Sequence, residues 1–273
     1  MNNKKHQGFS WQIFWAEFFG TGLLLIAGLS IVILMYGTNS PILRIIPDLG
    51  ERRLLTGFLF GSIGASIAIS RLGKVSGAHI NPVVTMAFLI MKKINPEKAI
   101  SYFLGQFAGA IIGCIPLLGW GAMGRSVSFG ATTPGEGYTL GTALLGEIVT
   151  TFVMVSLLGI FLAFRSLRPY TPAIFPVIYS LMSFFEGAIS GVSTNPARTL
   201  GPALISERWE GWWIYWIGPF AGAFLATVAL SFLAKRITVA KIYHFDSDSD
   251  LFFRKKGSAG SGKIDASKKL QIK

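Results

Sequence analysis

The sequence predicts an all-α membrane protein with six transmembrane helices and two re-entrant half-helices, arranged as an inverted repeat. Three observations carry that prediction. Apolar runs of about 20 residues recur along the chain, each long enough to cross a hydrocarbon core of roughly 30 Å. Two further apolar segments are too short to cross, and each begins at an Asn-Pro pair, Asn81-Pro82 and Asn195-Pro196. Finally, the halves match. Glu17 in Trp15-Ala16-Glu17-Phe18 parallels Glu147 in Leu145-Gly146-Glu147-Ile148, and Gly105-Gln106-Phe107-Ala108-Gly109 parallels Gly218-Pro219-Phe220-Ala221-Gly222.

Composition sets the frame for these motifs. Of 273 residues, 51% are hydrophobic and only 14% are charged, and the mean hydropathy is +0.54. The first apolar run is too long for a cleavable signal peptide, so none is expected. The single cysteine, Cys114, excludes an internal disulfide and argues against a Cys-ligated metal. A net charge of +12 might point to nucleic acid, but ten of the 25 basic residues follow Ala234. That distribution describes a membrane-flanking tail and not a nucleic-acid surface.

Taken in order, residues 1–10 form a polar N-terminal tail carrying Lys4 and Lys5. Trp11–Met35 is the first span, with Trp11 and Trp15 as interfacial anchors. A polar loop, Tyr36–Arg53, leads to the second span, Leu54–Leu72, rich in the small residues that close helix packing in lipid prefers. The short segment Asn81–Met91 follows, then the third span, Lys98–Leu118, and a Gly-rich loop. Leu140–Phe164 and Pro172–Ile189 are the fourth and fifth spans; Asn195–Ile205 is the second short segment, and Gly211–Ala234 the sixth span. The membrane domain is therefore residues 11–234, with halves of about 11–118 and 140–234, and residues 235–273 are expected to be a disordered, basic tail.

Six spans put both tails on one side of the membrane. Nineteen Lys and Arg residues then lie on the tail side and six on the other, which places both termini in the cytoplasm. Three spans per half is an odd number, so the halves must run in opposite orientations, as in pores and transporters whose site lies at the midplane.

The short segments explain what such a site does. Asn before Pro is a helix N-cap followed by the residue best suited to the first helical position. An 11-residue helix rises about 16 Å, so two of them end to end cover the ~30 Å core. Their N-termini, each with roughly half a positive charge, would meet near the midplane. Asn81 and Asn195 cap with their side-chain oxygens and leave amide N–H groups for a passing oxygen. Such an arrangement holds neutral, oxygen-bearing solutes and repels cations.

Three kinds of polar residue surround the pair. Arg198, one turn into the second half-helix, is a cavity-facing cation or the partner of a buried carboxylate. Glu17 and Glu147, inside spans at matching places, are expected to accept N–H groups from the re-entrant loops; a proton relay is the alternative. His79 lines the pore mouth or bonds within its loop. The histidines His6, His79 and His244 are dispersed, and no nucleophile–base or metal-ligand cluster is evident, so neither an enzyme nor a metal or other cofactor is expected.

With these residues in view, the chain resembles the major intrinsic protein family of aquaporins and glycerol facilitators. The resemblance spans residues 11 to 234 and rests on Asn81-Pro82-Val83, Asn195-Pro196-Ala197, Arg198, Glu17, Glu147 and the repeat. Val83 departs from the Ala usual in the family's first motif. The resemblance implies a passive channel, a homotetramer with one pore per subunit, and residence in the cell membrane. Its pore logic matches the general account of aquaporin selectivity.

The family's narrow outer filter has four positions. By spacing they fall on Gly61, 20 residues before Asn81, on Ser183, 12 before Asn195, and on Val192 and Arg198. A register one residue different would put Phe60 there and narrow the passage. Water-selective members carry an aromatic residue and a His at the first two positions, and glycerol facilitators carry aromatics and an Asp after the Arg. This chain has Gly61, Ser183 and Thr199. That pattern is similar to the nodulin-like proteins of plants that pass silicic, boric and arsenous acids, and implies these metalloid hydroxides and water as solutes. The alternatives are a glycerol or urea facilitator, a plain water channel and, from another class, a coupled secondary transporter. Val192, where mercury-sensitive members have Cys, implies weak mercury block.

Overall fold

A computed structural model describes residues 8–245, and every regular element among them is helical. In chain order the helices are α1 Trp11–Tyr36, α2 Ile42–Ile45, α3 Leu49–Ile69, α4 Arg71–Ser76, α5 Pro82–Ile90, α6 Pro96–Cys114, α7 Gly121–Arg125, α8 Leu140–Ala163, α9 Thr171–Glu186, α10 Pro196–Ser206 and α11 Ile214–Ala229. Four of them, α1, α3, α8 and α6 with its continuation to Arg125, are long and apolar enough to cross a bilayer. The helices α9 and α11 have 16 residues each, about 24 Å at 1.5 Å per residue, and each contains a proline, Pro176 and Pro219.

Capping residues set most of the boundaries. Ser10, Asp48, Asn95 and Thr139 accept a backbone N–H from the first turn of α1, α3, α6 and α8. The cap at Asp48, which accepts from the Glu51 N–H at 2.8 Å, starts the second span five residues before the expected Leu54. Arg52 and Arg53 therefore lie inside α3, where the Arg52 guanidinium donates to the Met35 carbonyl at 2.9 Å.

The repeat seen in sequence is a repeat in packing. The first-half pair α1 and α6 meets where Gly109 lies against the Phe18 carbonyl, and the second-half pair α8 and α11 meets where Gly222 lies against the Ile148 carbonyl. A side chain at either glycine would collide with backbone. The halves join along α3 and α9, which pack closely. On the outside of α1, Trp11, Trp15, Phe19 and Leu23 form one exposed apolar stripe four residues apart.

Hydrogen bonds mark two opposite faces. The Ser10 N–H donates to Ser101 Oγ, the adjacent Tyr102 hydroxyl to the Ser76 carbonyl and the Ile242 N–H to the Gly77 carbonyl, which groups both ends of the described chain on one face. The Thr38 N–H donates to Ser126 Oγ on the other. One expectation is corrected here. The residues after Ala234 do not leave the protein as a free tail: Ser231–Arg236 forms a 3₁₀ turn, and Ile237, Val239, Ala240, Lys241 and Ile242 are buried. The folded domain thus reaches Ile242 because this stretch supplies three apolar side chains that join the core. The expectations for residues 1–7, including His6, and for residues 246–273 lie outside the described residues.

Candidate functional site

The two half-helices α5 and α10 start in the interior and are capped as their Asn-Pro pairs require. Asn81 Oδ1 accepts the Val83 N–H at 2.9 Å; Asn195 Oδ1 accepts those of Ala197 at 3.0 Å and Arg198 at 3.3 Å. Pro82 and Pro196 take the first helical position, where no N–H is needed. Val83 and Ala197 are fully buried behind them.

The amide nitrogens cross over. Asn81 Nδ2 donates to the Thr194 carbonyl at 2.9 Å, and Asn195 Nδ2 donates to the Ile80 carbonyl at 3.0 Å. Each Asn thus pins the residue just before the other, which ties the two loops at the centre. Each amide nitrogen carries a second N–H that this tie does not use. Sequence reasoning pointed both donors outward and missed the cross-tie.

Glu17 and Glu147 perform matching tasks. Glu17 accepts the backbone N–H groups of His79 at 3.0 Å and Ile80 at 2.6 Å, and the Gln106 amide at 2.7 Å. Glu147 accepts those of Ser193 at 2.7 Å and Thr194 at 2.8 Å, and the Ser190 hydroxyl at 2.6 Å. Irregular backbone at this depth needs such acceptors. His79 is a loop residue as well. Its Nε2 lies 3.1 Å from the Ala240 carbonyl, its Nδ1 lies 3.1 Å from Thr85 Oγ1, and its ring stacks between Phe88 and Tyr102.

Two cavities meet at Phe60 and Tyr179, and the Asn pair borders the smaller one. An open vestibule of about 310 Å³ lies on the face away from the described chain ends and is lined by Ser183, Val192 and Arg198 together with Phe60, Tyr179 and Arg53. A smaller cavity of about 40 Å³ is lined by Asn81, Asn195, His79, Gly61, Met154 and Ile242, again with Phe60 and Tyr179. Phe60 and Tyr179 border both spaces, their ring centroids 6.1 Å apart. These two aromatics form the wall between vestibule and centre.

Arg198 stands at the vestibule floor, buried, with its guanidinium carbon 5.9 Å from the Phe60 ring centre. It is not paired with a carboxylate; Nη1 donates to the Gly130 carbonyl at 2.7 Å. Among the described residues the ion pair within 4 Å is Arg208 with Glu210 on the surface. The loop carrying Gly130 is fastened to the second half-helix by a hydroxyl chain, Thr132 to Thr199 at 2.8 Å and Thr199 to Ser193 at 2.6 Å. Among the described residues no cluster of His, Cys, Asp or Glu is placed to hold a metal.

The structure separates Gly61 from the other three residues of the spacing-derived quartet. A Cβ at Gly61 would meet the backbone of Phe175 and Pro176, so this residue is a contact between α3 and α9. The neighbouring Phe60 turns toward Arg198. Gly61 borders the central cavity beside Phe60, and adjacent residues of one helix point about 100° apart, so a count that arrives at Gly61 leaves the direction of Phe60 unread. Tyr179 was not anticipated, although it lies one helical turn before Ser183 and thus on the same face of α9.

The fold and site together define a polytopic membrane protein in which two inverted half-helices meet end to end at a capped Asn pair. The chain belongs to the major intrinsic protein family, whose model matches residues 4–230. It is an integral, multi-pass membrane protein. Among its relatives, aquaporin AqpM of Methanothermobacter marburgensis is 35% identical over 80% of this chain and 95% of its own length. Mouse aquaporin-4 is 34% identical over 79% of this chain, and maize aquaporin PIP1-6 is 36% identical over 63%. The chain spans 66% and 61% of the length of those two. An aquaglyceroporin structure from Plasmodium falciparum shares the fold, with a TM-score of 0.67, 20% identity and coverage of 81% of this chain and 95% of the other.

Proposed function

We propose that the protein is a passive channel for water and small uncharged solutes. The path enters the vestibule, passes between Phe60 and Arg198, and reaches the Asn81–Asn195 pair at the centre. The observation that carries this reading is the Phe60 ring standing between the two cavities with the Arg198 guanidinium beside it. One side of the passage is an apolar face and the other a donor-rich cation. Water and polyols fit that lining, the first by size and the second by placing C–H groups on the ring and hydroxyls on Arg198. The small Ser183 opposite keeps the passage wider than two bulky residues would. Arg198, Arg53 and the paired helix N-termini repel cations.

A second reading, metalloid hydroxides, rests on the small Ser183 in the vestibule and on Gly61 at the border of the central cavity. The wider assignment is of a homotetramer in the cell membrane with both termini in the cytoplasm. The excess of Lys and Arg on the face of the chain ends supports that orientation. The exposed stripe of Trp11, Trp15, Phe19 and Leu23 suits either lipid or a neighbouring subunit.

Proteoliposome shrinkage in water, glycerol and boric acid tests the assignment. Water flux above glycerol flux, and little boric acid flux, are expected. Phe60→Gly should raise the glycerol-to-water ratio about tenfold, equivalent to ~1.4 kcal/mol off the solute's barrier. An unchanged ratio would remove Phe60 from the filter, and boric acid flux matching that of water in the unaltered protein would favour the metalloid reading.

A further inference from the structure

We infer that residues 237–242 are a self-plug, closing the pore at its mouth on the face where the described chain ends lie. The inference rests on the channel reading above. The stretch follows the 3₁₀ turn Ser231–Arg236 and has no regular structure of its own. A loop on a water-facing surface exposes most of its residues. Here Ile237, Ala240, Lys241 and Ile242 are each at most 4% exposed.

What buries them is the first re-entrant loop. The Ile242 N–H donates to the Gly77 carbonyl at 3.0 Å. The Ala240 carbonyl lies 3.1 Å from His79 Nε2, which as its hydrogen-bond partner must be the N–H of the ring. The approach is close enough to require a glycine in the loop. Gly77 has a φ of 91°, and a Cβ there would strike the Ala240 carbonyl and the Lys241 backbone. The segment is thus fitted to the loop that supplies Asn81.

Ile242 is the tip of the plug. It lines the central cavity together with Asn81, Asn195 and Val84. That cavity measures about 40 Å³, against about 310 Å³ for the vestibule on the other side of Phe60. A water needs at least ~10–15 Å³ of such space, so the centre holds no more than a few, with an isoleucine side chain at its boundary. Ile242 thus narrows the pore on the far side of Phe60 from the vestibule.

The plug also has a fixed anchor. Arg168 holds the Arg236 carbonyl at 2.6 Å and the Leu162 carbonyl at 2.7 Å, which fastens the chain immediately before Ile237. Beyond that anchor its ties to the loop include the two hydrogen bonds named above. Withdrawal about Arg236 breaks these, re-exposes the apolar side chains, and opens the mouth. Conduction requires that withdrawal.

The test uses the full chain in proteoliposomes. Ile242→Ser should raise water permeability about threefold or more, because weakening the closed state shifts the population toward the open one. A lock supplies the opposite arm: Val84→Cys with Ile242→Cys, in a Cys114→Ala background, should lose water flux on oxidation and regain it on reduction. Both effects must act on water and glycerol alike, since the plug lies beyond the filter; a changed ratio would implicate Phe60 instead. Unchanged or reduced flux in folded Ile242→Ser protein would overturn the plug, as would a formed crosslink that leaves flux intact. Absence of flux in every variant, Ile242→Ser and the reduced lock included, would refute the channel reading itself.

Discussion

The two re-entrant loops share one skeleton and differ in what surrounds it. Around Asn81, Glu17 gathers two backbone N–H groups and one side-chain donor; around Asn195, Glu147 does the same. Each Asn caps its own half-helix and ties down the opposite loop. Beyond this the halves diverge. The first loop is backed by an aromatic stack, His79 between Phe88 and Tyr102, and by the backbone of residues 240–242. The second is backed by hydroxyls, Ser193, Thr199 and Thr132, and carries Arg198 into an open vestibule. Symmetry supplies the scaffold that lets irregular chain exist at the membrane centre. In the proposed channel, discrimination and closure fall to the parts that break it.

The strongest way to break this comparison is to remove the shared acceptors. Glu17→Leu orphans the His79 and Ile80 N–H groups and leaves the Gln106 amide only its bond to Thr85. Glu147→Leu orphans those of Ser193 and Thr194 and the Ser190 hydroxyl. Each orphaned buried donor costs about 1–3 kcal/mol, so both variants should lose most of their folded yield. Thermal melting in detergent would rank them. The plan predicts equal losses to within about one donor's worth; a much milder effect on one side would show that the halves are not held alike.

A smaller effect separates packing from selectivity at two adjacent residues. Gly61→Ala drives a methyl group into the Phe175 and Pro176 backbone and should destabilise the protein by about 1–3 kcal/mol, as overpacking does. The glycerol-to-water ratio of the protein that does fold should stay unchanged. Phe60→Gly should change the ratio, at a cost in melting temperature from the lost ring packing and the glycine placed inside α3. If Gly61→Ala altered the ratio, the filter would include Gly61 after all.

These pairs also show what sequence could and could not reveal. The half-helices, their caps and the two supporting carboxylates were legible because each depends on local chemistry: an Asn before a Pro, or a lone Glu in an apolar run. The direction of Phe60 was not, because it is one residue from the position that the spacing picked out and only its packing against Arg198 and Tyr179 shows which way the ring turns. The start of α3 at Leu49 hung on a single capping aspartate in a loop dense with prolines. The buried stretch 237–242 was hidden by its neighbourhood. Its apolar residues alternate with Thr238 and Lys241 and stand between basic clusters, so composition averaged them into a tail. Contacts between distant segments, such as Ala240 with His79, leave no local mark.

The smallest expected effect concerns the vestibule side of the second loop. Mercury blocks a pore by binding a thiolate where solute must pass, and that requires an accessible cysteine. The position before Ser193 is Val192, which lines the vestibule and offers no sulfur. The single thiol, Cys114, is fully buried near Gly201, where α6 meets the second half-helix, and borders neither cavity. Water flux should therefore fall little in micromolar mercury, and Val192→Cys should confer strong, reductant-reversible block. Strong inhibition of the unaltered protein, abolished by Cys114→Ala, would instead mean that the α6–α10 contact opens on the timescale of the assay. The seam between the halves would then be looser than the shared skeleton implies.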